Sequence, residues 1–149
     1  MRYGLIIGSL FVFLLIGCST LELTPSNFAW PVETVLDVDE KGQVSLERYS
    51  FSFSAKNLFL EEFEDSLAYS EKQIRIIGDN AGYYYITGEE FKNVYVFSRG
   101  EGSLVLENRI FITESGLISP AMNQRNPYIE LVTKEFKYYI NNEGITRIE

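Results

Sequence analysis

The chemistry open to this chain is that of carboxylates, lysines and tyrosines, because the sequence contains no histidine. That absence removes Ser-His-Asp and Cys-His catalysis, imidazole proton transfer near neutral pH, and histidine metal sites. The densest carboxylate group is Glu61, Glu62, Glu64 and Asp65. Glycoside hydrolysis needs two carboxylates set across a cleft, whereas neighbours on one short element point in diverging directions. These four therefore read as a solvated face. Asp37-Val38-Asp39-Glu40-Lys41-Gly42 opens like a calcium loop, but Lys41 stands where an oxygen ligand is needed and Arg48 where the bidentate glutamate belongs. Cations at both places repel calcium, so the segment reads as a hairpin turn, and no metal or other cofactor is expected. Tyr83-Tyr84-Tyr85, with Tyr95, Tyr138 and Tyr139, offers aromatic faces of the kind that stack on sugars and apolar ligands. On a strand Tyr83 and Tyr85 share one face and Tyr84 takes the other. Tyr83, Tyr85 and Tyr95 are one candidate surface for a ligand or partner, against the plainer reading of aromatic packing on both faces of a sheet. Asn123, Gln124, Arg125 and Asn126 cluster in the longest irregular stretch, Glu114 to Pro127, and Asn123 and Arg125 make a second candidate surface suited to a protein partner.

The N-terminus carries a different kind of signal. Arg2 is the only charge before an apolar run from Leu5 to Ile16, broken by Gly8 and Ser9 and followed by Gly17 and Cys18. A basic start, a short apolar core and a small-residue end make a secretory signal. The run falls short of the ~20 apolar residues that a membrane-spanning helix needs. Leu15-Ile16-Gly17-Cys18 resembles the lipobox of bacterial lipoproteins. The resemblance covers residues 1–19 and implies that the Cys18 thiol takes a diacylglycerol as a thioether. It also implies that signal peptidase II cuts between Gly17 and Cys18 and that the new amino group is acylated. More than one acyl chain gives a stable anchor where a single chain binds reversibly. In the family's Gram-negative members an aspartate after the cysteine favours the inner membrane, so Ser19 leans toward the outer membrane. In a Gram-positive host the same leader implies the outer face of the plasma membrane.

Composition constrains what the exported part can do. Cys18 is the sole cysteine, so no disulfide is available and the fold must rest on packing, for which 11 Phe and 10 Tyr are suited. The formal net charge is −8, and losing Arg2 with the leader takes it to −9. An acidic surface repels nucleic-acid phosphates and anionic headgroups, so nucleic-acid binding is not expected and the membrane is reached through the lipid on Cys18.

The elements that must position these residues are mainly strands. Residues 1–17 are the signal segment, helical in expectation, and residues 18–29 are the lipidated cysteine and a short tether. Residues 30–149 form a single β-rich domain, beginning at Trp30-Pro31. Fully extended, residues 19–27 reach at most ~30 Å, which keeps that domain near the membrane. Val32 to Val38 alternates, a turn follows at Asp39 to Gly42, and a long strand is expected from Gln43 with a bulge near Glu47-Arg48. Phe59, Phe63 and Leu67 recur every four residues and predict one short helix over 57–68, its acidic residues suiting the positive helix end. Strand patterns resume at Gln73–Ile77, Tyr83–Thr87, Phe91–Ser98 and Ser103–Thr113, where Leu104, Leu106, Ile110 and Ile112 are expected on one face. Tyr128–Val132, Glu135–Ile140 and Ile145–Ile148 complete the set. Strands joined by tight Gly- and Asn-rich turns predict an all-β antiparallel meander, folded as a sandwich or small barrel. The expected function is a non-catalytic binding or accessory module for an envelope protein partner. The alternative is a barrel or groove that binds an apolar or carbohydrate ligand, and a carboxylate enzyme is the remote third.

Overall fold

Alternating apolar and polar residues bounded by turn-forming glycine and asparagine give strands. In the computed structural model, which describes residues 32–46, 51–101 and 103–148, they build three antiparallel sheets and one helix. The lipobox, the tether, Trp30-Pro31 and Arg48 lie outside the described residues. The strands are β1 (Thr34–Asp37), β2 (Gln43–Leu46), β3 (Phe51–Ser54), β4 (Gln73–Gly78), β5 (Tyr84–Gly88) and β6 (Asn93–Arg99). They continue with β7 (Leu104–Phe111), β8 (Ala121–Arg125), β9 (Tyr128–Val132), β10 (Lys137–Asn141) and β11 (Gly144–Ile148). The helix α1 spans Lys56–Phe63. The protein is therefore all-β with one short helix, and among the described residues no helix is long and apolar enough to cross a membrane.

A five-stranded sheet runs in the order β1-β4-β5-β6-β7 and a four-stranded sheet in the order β11-β10-β9-β8. Each contains a meander of consecutive hairpins, β4 to β7 in one and β8 to β11 in the other. The two sheets meet at both margins. Val32 bridges Asn123 on one side, and on the other the Asn108 amide of β7 donates to the carbonyls of Asn142 and Glu143 in the β10–β11 turn. Glu33 ties the sheets further, one carboxylate oxygen accepting the Met122 backbone N–H at 2.8 Å and the other pairing with Arg75 at 2.7 Å. The result is a sandwich whose edges approach closure.

The central strands are buried on both faces. Ile76 and Ile77 on β4, and Tyr85 and Ile86 on β5, are successive residues that are all within 1 % of full burial. Successive residues point to opposite faces, so one layer cannot cover both. One phase packs in the core shared with Met122, Ile129, Leu131 and Ile140 of the second sheet. The other lies under α1 and the small β2–β3 hairpin, through Leu58, Phe59 and Val44.

Four details depart from the pattern read in the sequence. The long strand expected from Gln43 is two strands that pair with each other, Val44 opposite Phe53, so the chain reverses direction between Leu46 and Phe51. Folding back brings Val44 and Phe53 onto one face despite their opposite phases. The helix is shorter than 57–68 because Glu64 takes a left-handed conformation (φ 57°) and ends it, which leaves Leu67 66 % exposed. Its acidic residues therefore lie at the C-terminal end, with none in the first turn. The stretch from Glu114 to Pro127 contains strand β8, whose Met122 is a core residue, and it ends in a cis Asn126–Pro127 bond. Finally, the β6–β7 register shifts between Val96 and Phe97, so that Val96 faces Asn108 but Phe97 faces Leu106. The extra residue flips the phase of β7, and Leu104 and Leu106 take the opposite face from Ile110 and Ile112.

Gly42 shows how tightly the hairpin sits against the helix. Its φ of +75° closes the β1–β2 turn, and a Cβ there would lie 2.7 Å from the Lys56 side chain. Any other residue would meet both backbone strain and a collision.

Candidate functional site

The β7 phase flip creates a concave feature on the described surface. Directly opposed residues share a sheet face, so the pairs Tyr84–Phe97, Ile86–Tyr95, Phe97–Leu106 and Arg99–Leu104 line up on one side of the five-stranded sheet. Arg109, opposite Tyr95, joins them. The β3 strand and α1 stand over this face as a wall, contributing Phe53, Asn57, Leu58 and Glu61. Between wall and floor lies an open groove of about 780 Å³. Its floor is aliphatic and aromatic, with Ser52, Ser54, Asn57 and Ser103 polar around it.

Among the described residues three charged side chains line the groove: Glu61, Arg99 and Arg109. Glu61 pairs with Arg109 at 3.0 Å. Arg99, at the end of β6, has no ion pair among the described residues and is exposed. The groove lining thus has one positive charge in excess, on a chain of net charge −8.

One carboxylate ties the wall to the floor. Glu62 accepts the Tyr95 hydroxyl at 2.7 Å, the Asn93 amide at 3.0 Å and the Lys92 backbone N–H. Burial pushes the Tyr95 hydroxyl well above the usual tyrosine range, and the hydrogen bond to anionic Glu62 pushes it further. Tyr95 remains a neutral donor at every physiological pH. Beneath it, Phe91 meets Tyr95, Phe59 and Phe63 edge-on at 6.2, 5.5 and 5.5 Å, and this aromatic cluster seats the helix.

The residues singled out from sequence are not gathered in one place. Tyr95 lines the groove, together with Tyr84, which the sequence pattern had set on the face opposite its neighbours. Tyr85 is 1 % exposed on the other face and donates to Asp79 at 2.9 Å; burial first and the Asp79 charge second raise its hydroxyl pKa. Tyr83 packs half-buried against the core. Both tyrosines stand beside a turn that Asp79 organises by also accepting the Ala81 and Tyr83 N–H groups. Asp39 does the same for its turn, accepting from the Lys41 and Gln43 N–H groups, and Asp37 accepts the Gln73 amide. Among the described residues no cluster of three or more His, Cys, Asp or Glu side chains is placed to hold a metal ion. What sequence reasoning missed is Phe97, Leu104, Leu106 and Arg99 as lining residues. Only the bulge makes them neighbours on this face, and a bulge leaves no mark in an alternating pattern.

Asn123 and Arg125 lie on the outer face of the four-stranded sheet, around a nearly buried carboxylate. Glu130 is 4 % exposed and accepts from Asn123, Arg125 and Tyr139, with Lys137 at 3.4 Å. Burial alone would raise its pKa, but the Asn123 amide and the Arg125 and Lys137 charges outweigh it and hold the carboxyl below the usual range. A carboxyl held below its unfolded value (about 4.3) stabilises the fold above that pH, and the contribution disappears as pH falls through the folded value. Glu130→Gln should therefore cost about 1–2 kcal/mol at pH 7 in urea unfolding, since its partners are exposed enough to rehydrate. The gap between variant and parent should narrow as the pH is lowered through the acid range.

No known protein family, curated protein or solved structure matches this chain.

Proposed function

We propose that this protein is a lipid-anchored protein of the bacterial envelope whose β domain is a non-catalytic binding module, and that the groove between α1, β3 and the β5–β7 face is where it binds. The groove is the observation that carries this reading. Its volume falls within the ~300–1,000 Å³ typical of ligand sites, and it combines an apolar floor with a few convergent polar groups. A binding role without catalysis is supported by the groove's carboxylate chemistry. Among the described residues Glu61 is the single acidic one in the lining, it is held by Arg109, and no second carboxylate lines the groove with it. Among the described residues no buried side-chain nitrogen or oxygen lacks a partner. A protein partner is favoured as a second reading by Leu106 (37 % exposed) and Phe111 (51 % exposed), which flank Arg109 on the same face and extend the apolar surface past the groove.

Two measurements test this. Cys18→Ala should abolish lipid labelling and leave the precursor uncleaved after Gly17; a normally processed variant would refute the anchor. For the binding site, a photoreactive residue in place of Leu106 in the full-length, membrane-bound protein should give adducts identifiable by mass spectrometry. The same probe in place of Lys134, exposed on the β9–β10 turn, should give few. Equal labelling at the two positions would remove the groove as the binding surface.

A further inference from the structure

We propose that the groove takes a single-chain anionic amphiphile of the fatty-acid class, its chain lying on the β5–β7 face and its carboxylate on Arg99. The inference rests on the reading of the groove as the binding site and names what occupies it.

The lining specifies an apolar body. Phe53 and Leu58 on the wall face Ile86, Phe97, Leu104 and Leu106 on the floor. A sugar would need donors and acceptors spread over the floor, whereas Ser52, Ser54, Asn57 and Ser103 lie around a floor that Ile86, Phe97, Leu104 and Leu106 make apolar. The Tyr95 hydroxyl already donates to Glu62. A flexible hydrocarbon chain matches this surface and leaves none of its own groups unsatisfied.

The groove is also directional. Along β6 its floor runs from Tyr95, beside the closed Glu61–Arg109 pair, to Arg99 at the strand end, a length of roughly 13 Å at ~3.3 Å per residue. One end therefore carries a neutralised ion pair and the other a guanidinium with no ion pair among the described residues. A guanidinium binds a carboxylate through two parallel N–H···O bonds, a geometry that a bare positive charge does not supply. On an acidic chain, the local excess of one positive charge marks this end for an anion. A bilayer surface is the weaker occupant, because a concave groove with one wall and one floor takes a single chain, whereas a bilayer presents a broad face.

The test uses full-length protein in phosphatidylcholine nanodiscs with a diazirine-bearing dodecanoate, photolysed and mapped by mass spectrometry. Label is expected on the segments containing Phe53–Leu58 and Phe97–Leu106. Dodecanoate should displace it at lower concentration than octanoate, by roughly fourfold per methylene buried, and dodecyltrimethylammonium should displace it poorly. Arg99→Glu should lower labelling at least fivefold and reverse the preference toward the cationic competitor, while Lys134→Glu changes neither. Both sites are exposed, so circular dichroism should confirm that the variants fold as the parent does. Label in the groove that is indifferent to Arg99→Glu and displaced equally by both headgroups would overturn the anionic assignment. Absence of groove label would overturn the amphiphile altogether. Protein adducts from the Leu106 position, without amphiphile label, would do the same while leaving the binding-module reading intact.

Discussion

Phe59→Ala is expected to destabilise the domain by about 3–5 kcal/mol, the range for removing a fully buried phenylalanine. Phe59 is 0 % exposed and its ring contacts Phe63 at 5.9 Å, Tyr69 at 6.3 Å and Phe91 at 5.5 Å. Few of those rings can move into the space left behind, because Phe91 is also held edge-on to Tyr95 and Phe63. The effect should be large relative to a total stability of about 5–15 kcal/mol for a domain of this size. It should appear in urea unfolding as a lower midpoint with an unchanged slope. Phe59→Leu, which keeps most of the volume, should cost about 1.5 kcal/mol or less.

The same substitution should act on the groove. With 8 residues α1 is too short to persist alone, since isolated helices below roughly 12 residues are marginal in water. It also lacks a side-chain N-cap bond and acidic residues in its first turn. Packing therefore holds it, through Ala55, Leu58 and Phe59. Loosening Phe59 loosens Asn57, Leu58 and Glu61, which form part of the wall. Groove-dependent photolabelling should fall under conditions where the second sheet remains folded.

Much of the fold can be read from the residues alone, for a physical reason. Tyr128–Val132 is a short, largely apolar run that begins straight after Pro127, and the strand matches the predicted span to the residue. The two meanders follow because tight turns force antiparallel neighbours. Wherever the outcome depended on a partner distant in sequence, the local pattern was insufficient. Residues 104–112 alternate as a continuous strand, yet pairing with β6 inserts one extra residue and reverses the phase at Leu106. Leu67 continues the fourfold spacing of Phe59 and Phe63, yet Glu64 ends the helix before it and Asp65 accepts the Leu67 N–H to close a turn. The groove is assembled from these departures, from the bulge that turns Leu104 and Leu106 toward the wall and from the chain reversal that makes β3 part of it. That is why Tyr95 was identifiable as a surface candidate and its neighbours were not.

The second large effect concerns the bond that joins wall to floor. Glu62→Ala is expected to cost about 2–3 kcal/mol, because unsatisfied buried donors cost about 1–3 kcal/mol each and water can reach only some of those released. Lys92 is exposed and Asn93 half-buried, so their N–H groups can rehydrate. Tyr95 is 1 % exposed, so its hydroxyl would be left without its acceptor where water has little access. The cost should therefore be concentrated in the Tyr95 contact, which makes a definite claim for a double-mutant cycle. Tyr95→Phe alone removes the orphaned hydroxyl and should cost about 1 kcal/mol. In the Tyr95→Phe background, Glu62→Ala should cost about 1–2 kcal/mol less than in the parent, measured by urea unfolding at neutral pH. Glu62→Gln keeps one acceptor and should fall between parent and alanine. If the two single effects simply add, Glu62 holds the helix through Lys92 and Asn93 instead, and the groove wall is anchored from the strand end and not from the floor.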